Sequence, residues 1–124
     1  MKEEVKRWIR LSSDDLNSAQ VNFDNKQYYV CAFLCQQSVE KALKAFLIKN
    51  TNKLIKIHDL VILGEKTNLP KNLLEKCDKL SGVYLDTRYG DLEGKPPSEK
   101  FDKNISAEFL NTAKEVLQWL KKNI

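Results

Sequence analysis

The sequence has little of what usually carries recognisable chemistry: one His, three Cys and three Arg in 124 residues. The lone imidazole, His58, and the thiols at Cys31, Cys35 and Cys77 show no ligand spacing for a tetrahedral metal site, so no metal or cofactor is expected. An odd cysteine count in so short a chain is not a disulfide framework. The three thiols read as small buried apolar groups. Four Gly and three Pro argue against a collagen-like or turn-rich small-β protein. No run approaches the ~18–20 uninterrupted apolar residues that cross a bilayer. The mixed-sign opening, Met1 to Arg7, has no apolar signal core behind it. A cytoplasmic chain with no membrane partner is expected. The length suits one domain, 1–124, and 42% hydrophobic residues exclude wholesale disorder.

What is abundant is lysine. Eighteen Lys are scattered over the whole length, and with the three Arg they outnumber the seventeen Asp and Glu, for a net charge of +4. Lys and Glu interleave on helix faces, as a solvated surface does. There is no dense Arg/Lys stripe of the kind that marks a nucleic-acid interface, so nucleic acid is not the expected partner.

Helical periodicity accounts for most of the chain. Val5, Trp8, Ile9, Leu16, Ala19 and Phe23, with Ser12 among them, form one stripe of an amphipathic helix that stops at Asp24-Asn25-Lys26. Tyr28 to Lys49 is apolar nearly all round, which suits the central helix of a bundle. Asn50-Thr51-Asn52 ends it. His58-Asp59 opens a short run from Leu60 to Leu63. A further helix starts near Pro70 and continues through Leu73, Leu74, Cys77, Leu80 and Tyr84. In the last helix Ser106 suits the N-cap, and Phe109, Leu110, Ala113, Val116, Leu117 and Leu120 form the apolar face. Between these two, Asp86 to Lys100 reads as a long loop. The expected fold is all-α: an antiparallel bundle of about five helices.

One local feature stands out. Gln37, Glu40, Lys41 and Lys44 fall within about one 100° arc of the otherwise apolar second helix. Taken alone, they favour a surface window in which Glu40 and Lys44 form an ordinary i,i+4 ion pair, and a functional cluster stays open beside it. The glycines at 90 and 94 are too close together, and followed by Pro96, to be a phosphate-binding loop. No G-x-G-x-x-G or G-x-S-x-G occurs. A pairing of Cys31 or Cys35 with His58 is disfavoured because burial blunts thiols.

Taken together, the stretch Tyr29 to Ile48 with its Gln-Gln-x-x-Glu-Lys-x-x-Lys core, then His58-Asp59-Leu60, then Tyr84 with Thr87-Arg88-Tyr89-Gly90-Asp91, resembles the HEPN domain family over essentially the full chain. The resemblance implies an up-and-down bundle similar to the helical domain of kanamycin nucleotidyltransferase. It implies a homodimer and a nucleotide ligand. It also implies a minimal nucleotidyltransferase as partner, often in a toxin–antitoxin pair. Gln37, Glu40, Lys41, Lys44, His58, Asp59, Arg88, Tyr89 and Asp91 match the family's polar positions, although Gly90 stands where proline is common. Ribonuclease members carry Arg, then four to six intervening residues, then His. Arg88 is followed by no histidine, so that acid–base pair is missing and no catalytic residue is assigned. The first expectation is therefore a nucleotide-binding accessory protein in which Lys41, Lys44 and Arg88 attract phosphate. A structural homodimeric scaffold is second, and a divergent metal-independent ribonuclease third.

Overall fold

The computed structural model describes residues 2–90 and 94–124, with the side chain of Arg88 outside the described part. Among these residues there are seven helical elements and no strand: α1 Glu3–Asp24, α2 Tyr28–Thr51, α3 Leu60–Lys66, α4 Lys71–Ser81, α5 Val83–Tyr89, the single turn α6 Pro97–Lys100, and α7 Lys103–Asn123. No helix among them is long and apolar enough to cross a membrane.

α1 and α2 form an antiparallel hairpin through a tight turn at Asn25–Gln27, where Lys26 takes a left-handed φ of 62°. Val5, Ser12 and Ala19 are the fully covered residues of α1. Their seven-residue spacing keeps one narrow stripe against α2. Small residues let the two backbones come close. The Ser12 hydroxyl donates to the Ser38 carbonyl at 2.6 Å, and the Ser38 hydroxyl donates back to the Ser12 carbonyl at 2.8 Å. Ser12→Ala is expected to cost about 1 kcal/mol for the lost hydrogen bond. Ser12→Leu adds about 1–3 kcal/mol for forcing the helices apart. Urea unfolding of the two variants measures both.

α2 packs against every other helix. It buries Cys31, Ala32, Cys35, Val39, Ala42, Leu43, Ala45, Leu47 and Ile48, so it is the bundle's axis. All three cysteines are free and buried. Burial pushes the Cys77 thiol up to about 12, and a hydrogen bond with Cys31, together with burial, pushes Cys35 up as well.

Three local expectations need correction. The helix read from Pro70 through Tyr84 is two helices that meet at Gly82, the residue with the weakest helix propensity between Lys71 and Tyr84. The segment Asp86–Lys100 is not all loop, since α5 runs on to Tyr89 and Pro97 begins one further turn. Gly90 ends α5 at φ 76°, where an added Cβ would lie 2.3 Å from the Lys95 carbonyl oxygen, and a proline ring cannot adopt that φ. Lastly, α7 starts earlier than expected. Asp102 is its N-cap, accepting from the Ile105 N–H at 2.9 Å, while Ser106 lies buried inside the helix and donates to the Tyr28 carbonyl at 2.9 Å.

Candidate functional site

The polar arc of α2 is not a surface window. Glu40 and Lys44 are each only 5% exposed, and Gln36 is fully covered. The expectation of an ordinary exposed ion pair fails because neighbouring elements cover this side of α2. Burial penalises an isolated charge, so these groups must satisfy one another.

They do so around one carboxylate. Glu40 accepts from Lys44 Nζ at 2.8 Å, from Gln36 Nε2 at 3.0 Å and from His58 Nδ1 at 3.0 and 3.1 Å to its two oxygens. Gln37 Nε2 donates to Gln36 Oε1 at 2.7 Å, which turns the Gln36 amide nitrogen toward Glu40. Burial works against the ionised carboxyl. The hydrogen bonds from Lys44, Gln36 and His58, with the Lys44 charge, outweigh it and hold Glu40 below its ordinary value. An ionised carboxylate only accepts, so His58 must carry hydrogen on Nδ1. That leaves Nε2 as the second edge of the ring, an acceptor while the imidazole is neutral.

The segment before α3 brings His58 here. Asp59 accepts from the backbone N–H of Val61 and Ile62 at 2.9 and 3.2 Å and so fixes the start of α3. Leu60 N–H donates to Ser81 Oγ at 3.0 Å and ties this start to the end of α4. His58 is then sandwiched between chemistry on two sides. Nδ1 meets Glu40, and the ring face stacks on Tyr84 of α5, with centroids 4.5 Å apart and planes 10° apart.

Where α3, α4 and α5 meet, an open cleft of about 760 Å³ is lined by His58, Asp59, Asp78, Ser81, Tyr84 and Leu85, among others. That size falls within the ~300–1,000 Å³ of small-molecule sites. Among the described residues, no Lys or Arg lines it.

The structure therefore gathers Gln37, Glu40, Lys44 and His58 into one network, with Asp59 on the same cleft. Lys41 stands apart, tied to Asp15 of α1 at 2.6 Å. Tyr89 is 77% exposed and does not line the cleft. The Arg88 side chain and Asp91 lie outside the described residues. Two members were missing from the expected set. Gln36 sits off the predicted arc, and its i,i+4 spacing to Glu40 was the available signal. Tyr84 fits the apolar stripe of the preceding helix, and nothing local marks it as a stacking partner.

A model of the HEPN domain matches residues 5–124. Two crystal structures are similar over almost the whole chain. TT1696 from Thermus thermophilus superposes with a TM-score of 0.90 at 23% identity, covering 99% of this chain and 100% of that one. ST0689, an archaeal HEPN homologue, gives a TM-score of 0.84 at 30% identity, covering 99% of this chain and 98% of that one. No curated protein matches the sequence.

Proposed function

The chain belongs to the HEPN domain family, and from that premise we propose that it is a nucleotide-binding accessory protein. In this proposal it works as a cytoplasmic homodimer beside a minimal nucleotidyltransferase, in a toxin–antitoxin-like pair. The observation that carries nucleotide binding is the His58–Tyr84 stack at the rim of the cleft, held in place from behind by Glu40. Stacked rings at the mouth of a small-molecule-sized recess are a platform for a planar base, since every base has a π-face.

Support for protein partners comes from a second place. Tyr29, Val30, Phe33 and Thr87 line an apolar groove, and α5 beside it exposes Leu85 at 60% as well as Tyr89. Large apolar side chains left in contact with water favour burial against another chain. This groove also favours the scaffold as second reading. A divergent ribonuclease is third, because the Arg–His pair is missing.

Calorimetry with a panel of nucleosides and nucleotides, alone and with a minimal nucleotidyltransferase as the proposed partner, tests the proposal. Saturable binding below millimolar concentration is expected. Silence across the whole panel, with the partner present, would overturn nucleotide binding and put the scaffold first.

A further inference from the structure

Resting on the proposal of nucleotide binding, we infer that the cleft where α3, α4 and α5 meet holds the nucleoside part of its ligand and keeps the phosphates out. The expectation drawn from the sequence was the reverse, with lysines gathering phosphate.

Among the described residues, the structure takes from that expectation the two lysines it relied on, Lys41 and Lys44. The Lys44 ammonium is buried on Glu40 at 2.8 Å, and the Lys41 ammonium is bound to Asp15 at 2.6 Å. Neither lines the cleft. What does line it is acceptor-rich. Asp78 is an exposed carboxylate. Asp59 takes both capping bonds of α3 on a single carboxylate oxygen, Oδ1. His58, with Nδ1 given to Glu40, has Nε2 left as an acceptor.

A wall of acceptors beside an aromatic pair complements a planar ring that carries donors. The exocyclic amine of a base and the ribose hydroxyls are such donors, and a carboxylate commonly takes the ribose hydroxyls. A phosphate offers further acceptors and negative charge. Placed within a few ångströms of Asp59 and Asp78, it would be repelled, most strongly at low ionic strength. The ring therefore enters and the charged tail points to solvent.

Calorimetry of the full chain with adenosine, AMP and ATP, at low and at physiological salt, tests this. Adenosine is expected to bind at least as tightly as AMP. ATP should bind at least about tenfold more weakly than adenosine at low salt, the gap closing as salt screens the carboxylates. Asp78→Asn should narrow the ratio between adenosine and ATP. Equal affinities for adenosine and ATP at low salt, an ATP that binds more tightly, or a ratio unmoved by Asp78→Asn would overturn the inference and leave nucleotide binding standing. Absence of saturable heat from all three ligands would remove both.

Discussion

Glu40→Gln is expected to destabilise the fold by about 3–5 kcal/mol, the usual cost of removing one partner from a buried ion pair. The amide keeps nearly the same shape, so the loss is electrical. Lys44, whose side chain is only 6% exposed, is left cationic with no counter-charge. The companion variant Glu40→Gln/Lys44→Met should recover most of the loss, because a buried pair replaced as a whole by groups of similar volume is often close to neutral. The Lys41–Asp15 pair is the control. Both side chains keep about a fifth of their surface exposed, and Lys41→Met should cost no more than about 1 kcal/mol.

The same carboxyl sets an acid dependence. Its value in the fold lies below the ordinary 4.5, so the unfolded chain takes up its proton first as pH falls. The stabilisation is fully present above about 4.5 and is lost as pH drops through the lower folded value. In urea unfolding the wild type should lose midpoint across that window, and Glu40→Gln should show a flatter profile there. A variant as stable as wild type at neutral pH would mean that the pair does not hold the network together.

Tyr84→Ala is expected to reduce adenosine affinity by about tenfold or more, from the ~1–3 kcal/mol that a base stacked on an aromatic ring contributes. Tyr84→Phe keeps the face and should stay within about threefold of wild type. Melting curves of both variants separate lost binding from lost folding. Tyr84 is only partly buried, so the alanine variant should remain folded at room temperature. Unchanged affinity in a folded Tyr84→Ala would place the ligand elsewhere on the molecule.

The long helices were legible because each is written in a pattern that depends only on its own residues. The stripe of α1, the apolar girth of α2 and the face of α7 follow from spacing alone, as do the stops at Asp24 and Asn52. The break at Gly82 was hidden because the residues on both sides fit one continuous stripe, and backbone bending leaves no mark in that stripe. The cap at Asp102 went unread because Ser106 is by type just as good a cap residue, and only its docking on Tyr28 shows that it belongs inside the helix.

The site was half legible for a related reason. Helical spacing says that Gln37, Glu40, Lys41 and Lys44 share an arc, but not what covers that arc. Here α1 supplies Asp15 for Lys41, while the segment before α3 supplies His58 for Glu40 from eighteen residues away. The two lysines thus part company although they are three positions apart. Likewise Lys76 and Lys79 of α4 reach across to Glu115 and Glu108 of α7. Such partners come from packing between helices, which no single helix encodes.

The chain's single histidine makes one measurement unusually clean: a long-range proton–nitrogen correlation spectrum of its imidazole, recorded with and without adenosine. In the neutral ring the hydrogen should sit on Nδ1, where Glu40 accepts it, and the bare Nε2 resonance should move in saturable fashion as adenosine is added. The opposite tautomer, or an Nε2 resonance indifferent to millimolar adenosine, would contradict a Glu40-braced imidazole facing a nucleoside.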